Sequence, residues 1–252
     1  MSVRESVPVE ELVERVLERV EDADEELVSR VISEVGPVQR EFVIVDEDRC
    51  VGCKICYEEC PVDAISEPDH STPPEIDHES CVICRLCAKS CPVNALSVVR
   101  GEARVEDDRV EIELERVEVV RRKIEVREAR LDESRCVKCG LCLQICPVDA
   151  PDLEALEIDL DRCVGCRACE HACPVDAIRV RRRLEPPEFE REVRLDESAC
   201  IGCGVCVEVC PVDAVEVRGD VAEIDYDRCI RCAECARNCP ADAIEVREGD
   251  EG

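Results

Sequence analysis

The stretch Cys50-Val-Gly-Cys53-Lys-Ile-Cys56-Tyr-Glu-Glu-Cys60-Pro61 decides the fold, because the chain contains its pattern six times. Each copy reads C-x2-C-x2-C-x3-C-P, where x is any residue. The copies, called motifs one to six below, begin at Cys50, Cys81, Cys136, Cys163, Cys200 and Cys229. Together they use all 24 cysteines of the chain, so no cysteine is left for another role.

The composition is poor for an ordinary hydrophobic core. The 252 residues include two Phe, two Tyr and no Trp, and the formal net charge is −29. So few aromatic residues in an acidic chain would also be typical of a disordered protein. The cysteine repeat argues against disorder, because bound metal can replace the missing core and tie distant segments together. We therefore expect folding to depend on metal.

The sequence also bears on three alternatives, which are disulfide bonds, zinc sites and a nucleic-acid partner. A disulfide scaffold needs an oxidising compartment, but the N-terminus has no apolar signal region. Zinc sites usually show two separated cysteine pairs, without a third cysteine at the same short step and a Pro after the fourth. The motif instead resembles the cysteine run that binds iron–sulfur clusters, so iron–sulfur binding is favoured, with zinc and disulfides as the alternatives. The net negative charge would repel nucleic acid, so nucleic acid is not an expected partner.

The motifs occur in pairs. The interval between motifs is short from one to two, three to four and five to six, and longer between these pairs. The repeating unit is therefore a pair of motifs. The predicted organisation is an N-terminal helical segment (1–41), three paired units (42–101, 128–184 and 192–252), a β-hairpin insert or linker (102–127) and a short linker (185–191). The short linker predicts that motifs four and five lie close together.

Each pair resembles a bacterial-type 2[4Fe–4S] ferredoxin, in which this cysteine run holds the clusters. The whole chain is similar to the polyferredoxins of anaerobic archaea, particularly methanogens. The resemblance covers the three paired units and excludes residues 1–40 and 102–127. It implies an α+β fold of three tandem ferredoxin-like units with short helices and small antiparallel hairpins. It also implies six [4Fe–4S] clusters.

In ferredoxins of this type the fourth cysteine of each run binds the other cluster of the pair. The resemblance therefore implies six ligand sets, numbered by motif. Set one is Cys50, Cys53, Cys56 and Cys91, and set two is Cys81, Cys84, Cys87 and Cys60. Set three is Cys136, Cys139, Cys142 and Cys173, and set four is Cys163, Cys166, Cys169 and Cys146. Set five is Cys200, Cys203, Cys206 and Cys239, and set six is Cys229, Cys232, Cys235 and Cys210.

The function that this resemblance implies is electron transfer at low potential. The expected role is an electron-relay subunit or dedicated partner of an anaerobic redox enzyme complex, of the hydrogenase or formylmethanofuran dehydrogenase type. The alternative is a free electron carrier or store that serves several enzymes. No motif lacks a cysteine and no nucleotide fingerprint is visible, so we expect no catalytic residue and no enzyme activity. No run approaches the roughly 20 apolar residues of a membrane span, and we expect a cytoplasmic protein.

Two segments without cysteine have their own patterns. Residues 6–36 have helical spacing, with Ser6 as a possible cap and Pro8 in the first turn. We expect two helices, or one long helix whose acidic middle is exposed. These helices would pair with each other, cover a ferredoxin face, or bind a partner. Residues 102–127 alternate, with Val110, Ile112 and Leu114 in one predicted strand and Val117 and Val119 in a second. They form a hairpin that extends the terminal sheet of a unit, or an arm that holds a partner.

The residues around each motif repeat as well. An Asp stands four residues before every first cysteine, and we expect its side chain to accept hydrogen bonds from the turn backbone. Gly52, Gly165 and Gly202 stand two residues after a first cysteine and allow tight turns whose N–H groups face sulfur. Ile83, Lys138 and Arg231 occupy that place in the other motifs. After motif three, Pro151 replaces an aliphatic residue, which predicts a different exit for the chain.

Overall fold

The computed structural model describes residues 2–9, 11, 13–14, 38–106 and 109–248. The chain divides into two compact parts. The smaller part consists of Met1–Ile44 and Ser97–Glu118, and the larger part of Val45–Leu96 and Val119–Gly252. All six cysteine motifs lie in the larger part.

The smaller part is built around a four-stranded antiparallel sheet. Its strands are β1 (Ser2–Pro8), β2 (Val38–Val45), β3 (Leu96–Glu106) and β4 (Arg109–Val117), in the order β1-β4-β3-β2. Strands β3 and β4 form a hairpin whose register runs from Val98 opposite Val117 to Glu106 opposite Arg109. Val9 and Val13, which are helical, pack on Val110 of β4 in a buried apolar cluster.

Two expectations for the smaller part need correction. Ser6 and Pro8 were expected to begin a helix, but both lie in β1, which pairs with β4. Helical structure begins at Val9, and most of the predicted helices lie outside the described residues. The two strands expected within 102–127 are also corrected, because Val110, Ile112, Leu114 and Val117 all lie in β4 and Val119 is in no strand. Strand β4 pairs instead with β3, in the sheet that also contains β2.

The larger part consists of short helices and two-stranded sheets. A 3-10 helix (Glu47–Arg49) precedes motif one, and each α-helix contains the third cysteine of a motif. The helices are α1 (Ile55–Glu58), α2 (Leu86–Ser90), α3 (Leu141–Ile145), α4 (Ala168–Ala172), α5 (Val205–Glu208) and α6 (Glu234–Arg237). The strands are β5 (Ile124–Leu131), β6 (Pro151–Asp152), β7 (Glu157–Ile158), β8 (Ile178–Leu184), β9 (Arg191–Leu195), β10 (Val215–Arg218), β11 (Val221–Ile224) and β12 (Ile244–Glu248).

The strands join the two motifs of a pair. The strand before motif three (β5) pairs with the strand after motif four (β8), and β9 before motif five pairs with β12 after motif six. A shorter ladder, β10 with β11, lies between motifs five and six. Small units of short helices and antiparallel strands are thus confirmed as the architecture.

Pro151 does not change the exit from motif three. It pairs with Ile158 in the short β6–β7 ladder. The equivalent positions pair in the same way, Ile65 with Ile76 after motif one and Val215 with Ile224 after motif five. A ladder of two residues at a sheet edge tolerates a proline, which lacks only the N–H donor. The expectation of a different exit was therefore wrong.

The structure also bears on the predicted absence of a membrane span. Among the helices of the described residues, none has the length and the apolar composition needed to cross a membrane.

Candidate metal centres

Three cavities are each surrounded by four cysteines from two motifs. Cys50, Cys53, Cys56 and Cys91 line a cavity of about 280 Å³. Cys136, Cys139, Cys142 and Cys173 line a second of about 330 Å³. Cys200, Cys203, Cys206 and Cys239 line a third of about 360 Å³. In each cavity three cysteines come from one motif, and the fourth cysteine comes from the other motif of the pair.

The cysteines of the three even-numbered sets influence one another's ionisation. Burial, with Cys81, Cys60 and Cys232, raises the pKa of Cys84 to about 12. Burial, with Cys166, Cys146 and Cys163, raises the pKa of Cys169 to about 12. Burial, with Cys232, Cys229 and Cys210, raises the pKa of Cys235 to about 12. Cys60 therefore lies near Cys84, Cys146 near Cys169 and Cys210 near Cys235, each in its partner motif.

The buried thiols favour a bound cation. Burial disfavours a thiolate unless positive charge is close, and neighbouring thiolates repel one another. Burial raises the pKa of Cys53 and of Cys56 to about 12. Among the described residues, no three His, Cys, Asp or Glu side chains are grouped closely enough to hold a single metal ion. The four cysteines of sets one, three and five instead surround a cavity, and a cation there would release their protons.

One alanine after each motif holds the fourth cysteine. Its backbone N–H donates to the Sγ of that cysteine at 3.2–3.3 Å. The six pairs are Ala64–Cys60, Ala95–Cys91, Ala150–Cys146, Ala177–Cys173, Ala214–Cys210 and Ala243–Cys239. The residue before each alanine is Asp or Asn in the left-handed region, such as Asp63 at φ 51° and Asn94 at φ 57°. Asp and Asn tolerate this conformation better than other side chains.

The same alanines tie the two motifs of a pair together. The carbonyl oxygen of each alanine accepts a hydrogen bond of 2.7–2.8 Å from the backbone N–H of the Asp that precedes the other motif. The pairs are Asp46–Ala95, Asp77–Ala64, Asp132–Ala177, Asp159–Ala150, Asp196–Ala243 and Asp225–Ala214. Each of these six hydrogen bonds, called the Asp–Ala ties below, joins motifs one and two, three and four, or five and six. The backbone therefore groups the motifs into the pairs that the sequence intervals predicted.

The expected role of these Asp side chains is confirmed. All six accept hydrogen bonds from turn backbone N–H groups, for example Asp132 Oδ1 from Ser134 N–H at 2.9 Å and Asp225 Oδ1 from Asp227 N–H at 3.0 Å. Hydrogen bonds from the Ser134 side chain and backbone hold the pKa of the Asp132 carboxyl below its usual value. The Asp thus shapes the turn that leads into the first cysteine.

The tight turns inside the motifs have the predicted backbone. Gly52 has φ 62°, and the residues at its place in other motifs follow it, including Ile83 at φ 50° and Lys138 at φ 53°. The Lys138 N–H donates to Cys136 Sγ at 3.4 Å. A side chain at Gly52 would meet the backbone of Asp69, because an added Cβ would lie 2.1 Å from the Asp69 oxygen. Glycine is therefore required at that position by space as well as by φ.

Comparison with known proteins decides the family. Three profiles described as 4Fe-4S dicluster domain match this chain, one at residues 80–150 and 162–214, one at 43–98 and 129–180, and one at 192–240. A relative from Methanocaldococcus jannaschii, described as an uncharacterized polyferredoxin-like protein, is 37% identical over 144 residues. This chain belongs to the polyferredoxins. Its ferredoxin domains follow one another in tandem, and they transfer electrons through 4Fe-4S clusters.

The match to the relative covers 57% of this polyferredoxin and 57% of the relative. The chain thus spans less than two thirds of the length of the curated relative that it matches. The family therefore accounts for the cluster-binding regions, whereas the partners of the whole protein need separate arguments.

The residues of the polyferredoxin fit the group that its family binds. Four thiols line each of the cavities described above, all of them buried or half-buried except Cys139 and Cys203, and backbone N–H groups point at sulfur. A 4Fe-4S cluster supplies one-electron oxidation and reduction when it is bound. The N–H donors stabilise negative charge on sulfur, and such hydrogen bonds are one way in which a protein adjusts the potential of a cluster.

Several structural roles in the polyferredoxin escaped the sequence reasoning. An Ala stands four residues after every fourth cysteine, but no role was predicted for it from the sequence. That sixfold recurrence was a signal for a local role. The residue after each second cysteine is also left-handed, for example Lys54 at φ 63° and Ala233 at φ 68°. Its side-chain type varies between motifs, so the sequence carried no signal for it.

Proposed function

We propose that the polyferredoxin is a low-potential electron relay that holds six [4Fe–4S] clusters, one in each cysteine set, in three tandem two-cluster units. The observation that carries this proposal is the exchange of fourth cysteines within a pair, because three cysteines of one motif and one of its partner surround each cavity. The six Asp–Ala ties support the same pairing. Every motif keeps all four cysteines, so no iron is left open for a substrate, and the chain acts as a non-catalytic carrier.

The proposed partners are redox enzymes of anaerobic metabolism. The resemblance to methanogen polyferredoxins supports a relay subunit or dedicated partner of a hydrogenase or a formylmethanofuran dehydrogenase. The relative from Methanocaldococcus jannaschii is consistent with that setting. We place the protein in the cytoplasm, because 24 free thiols need a reducing compartment to remain available for iron.

Anaerobic purification followed by reductive titration tests the proposal. Each cluster takes up one electron, so the loaded chain should accept about six electrons per molecule at low potential. Uptake of two or fewer would contradict a six-cluster relay. Co-elution of hydrogenase or formylmethanofuran dehydrogenase subunits in stoichiometric amount would support the relay subunit. A monodisperse chain that reduces several enzymes at similar rates would support a free carrier instead.

A further inference from the structure

A buried arginine joins the first pair of motifs to the second. Arg182 has a side chain that is 7% exposed, and its Nη1 donates to the carbonyl oxygens of Gly165 at 2.8 Å and Cys166 at 3.0 Å. Its Nη2 lies 3.3 Å from Glu58 Oε2, at the end of α1. Arg182 therefore links the cysteine turn of motif four to the helix of motif one.

An apolar cluster lies at the same junction. Its buried members are Cys53 and Ile55 of motif one and Cys166 and Ala168 of motif four. Ile55 and Ala168 are each 1% exposed, so the two motifs exclude water from one another. Set one and set four are therefore direct neighbours, each contributing its second cysteine to the contact.

A second arginine joins the first pair to the third. Arg237 Nη2 donates to the carbonyl oxygen of Cys232 at 2.9 Å and to that of Val82 at 3.5 Å. Arg191 Nη1 also donates to the Ile83 carbonyl oxygen at 3.3 Å. Val82 and Ile83 belong to motif two and Cys232 to motif six, so set two and set six are neighbours.

The linker between the second and third pairs lies on the first pair as well. Lys89 of α2 has a side chain that is 1% exposed, and its Nζ donates to the Glu188 carbonyl oxygen at 2.7 Å and to the Glu190 carboxylate. The Phe189 ring lies 5.9 Å from Lys89 Nζ and 4.9 Å from Arg231 Cζ. Phe189 thus lies between motif two and motif six, which agrees with the contact at Arg237.

Within each pair the helices of the two motifs pack against each other, α1 with α2, α3 with α4 and α5 with α6. Sets one and two, three and four, and five and six are therefore also neighbours. We propose that the six cysteine sets lie in one row in the spatial order three, four, one, two, six, five. The first pair along the chain is the middle of this row. Linker 185–191 was expected to bring motifs four and five together, whereas the contacts join them through motifs one, two and six.

The exposure of the motifs agrees with this order. Cys139 of set three and Cys203 of set five are exposed, and the other 22 cysteines are buried or half-buried. The residue after the first cysteine is 61% exposed in motif three (Val137) and 65% in motif five (Ile201). In the four inner motifs the equivalent residue is half-buried. The flanks of sets three and five thus remain open, as the ends of a row require.

The role of this row in electron transfer rests on the proposed function. A donor protein with a one-electron centre, such as an iron–sulfur cluster or a flavin, would be oxidised by one electron at one end. An acceptor protein of the same class would be reduced by one electron at the other end. The redox state of the chain is then unchanged after each transfer.

Magnetic coupling between reduced clusters in the fully loaded chain tests the order. Electron paramagnetic resonance distinguishes a reduced cluster that has a reduced neighbour from one that is isolated. One set at a time is removed by replacing the first three cysteines of its motif with Ser. Loss of about four iron atoms per chain shows that one cluster alone is missing.

The proposed row predicts which removals isolate a cluster. Removing set four isolates set three, and removing set six isolates set five, so each variant should show an uncoupled signal. Removing set one or set two leaves no isolated cluster and should show none. A row in chain order predicts the opposite, an uncoupled signal after removal of set two and none after removal of set four. That result would overturn the proposal.

If a variant loses more than one cluster, chemical cross-linking tests the contact between sets one and four instead. In Arg182→Lys, a zero-length carbodiimide should link residue 182 to Glu58, and mass spectrometry would identify the joined peptides. The matched control is Arg181→Lys, because Arg181 is 80% exposed and lies 3.6 Å from Glu128. The control should link to Glu128 and not to Glu58.

A missing link at residue 182 would overturn the contact between sets one and four. These outcomes separate the row from the proposed function. An iron-loaded wild-type chain that accepts no electrons at low potential would contradict the function, while the link at residue 182 would still report the order of the motifs.

Discussion

The backbone N–H of Asp46 donates a 2.7 Å hydrogen bond to the carbonyl oxygen of Ala95. Ala95 in turn donates its own N–H to Cys91 Sγ at 3.2 Å. One alanine thus connects the entry of motif one to the fourth cysteine of motif two, which lines the cavity of set one. The arrangement recurs at all six motifs, so neither motif of a pair is complete without the other.

Enlarging this alanine should destabilise the pair. Ala95 is 1% exposed, and Ala95→Val adds two methyl groups where the backbone on both sides is fixed by hydrogen bonds. Overpacking of this kind costs about 1–3 kcal/mol. Anaerobic urea unfolding, followed by the visible absorbance of the clusters, measures the change. The control is Ala155→Val at an exposed position, which should stay within about 0.5 kcal/mol of wild type. Equal effects in the two variants would contradict the role of Ala95.

Alanine substitutions at two glycines with positive φ distinguish the effect of backbone strain from that of steric crowding by the added Cβ. Gly52 has φ 62° and Gly204 has φ 79°, so an alanine at either position incurs the left-handed cost of about 1–2 kcal/mol. An added Cβ meets the Asp69 backbone at Gly52 and nothing within 4 Å at Gly204. We expect Gly52→Ala to lose the cluster of set one, about four iron atoms per chain, and Gly204→Ala to keep its iron. Iron analysis of both variants checks this, and equal iron contents would count against it.

Lys89 should hold the linker between the second and third pairs. Lys89→Met removes the donor to Glu188 and Glu190 and leaves those acceptors without it, at a cost of about 1–3 kcal/mol. The variant should unfold at lower urea and be cleaved faster by a glutamate-specific protease at residues 188–190. Lys123→Met is the matched control, because Lys123 is 76% exposed and lies 3.8 Å from Glu185. A surface pair of that kind contributes little. Cleavage of both variants at the wild-type rate would rule out the role of Lys89.

Removal of iron should unfold the larger part of the chain. The groups of buried apolar side chains in its core are small and contain cysteines. One such group consists of Cys142, Ala150, Ile158 and Ile178, among others. Metal binding and folding are then one process. Treatment with an iron chelator and an oxidant should abolish protection from trypsin across 128–248. If iron-free protein kept that protection, the packed apolar side chains alone would be enough to fold this part of the chain, which would contradict the prediction.

The sequence predicted what local patterns determine. The intervals between the six motifs indicated which motifs pair. The Asp before each motif indicated the turn whose backbone N–H groups its side chain accepts from. The position of Gly52 indicated a backbone with positive φ, which Ile83 and Lys138 also adopt. The Asp turn and the positive φ depend on neighbours within a few residues, so a single copy of the motif carries that information, whereas the pairing needed the intervals between motifs.

Features that depend on distant segments were missed. Ser6 and Pro8 were predicted to begin a helix, yet they lie in β1 because β4, more than a hundred residues away, offers an edge to pair with. The order of the motif pairs depends on Arg182 and Arg237, which look like ordinary charged residues in the sequence. Their partners are carbonyl oxygens and Glu58, and backbone acceptors leave no trace in side-chain type.

Joint analysis of iron and acid-labile sulfide in the anaerobically purified chain tests the central claim most directly. Six complete sets of four cysteines predict about 24 iron atoms and about 24 sulfide ions per chain, four of each for every cluster. A chain with zinc in place of iron and without sulfide, or with a reproducible iron content near 16 after reconstitution, would contradict the account.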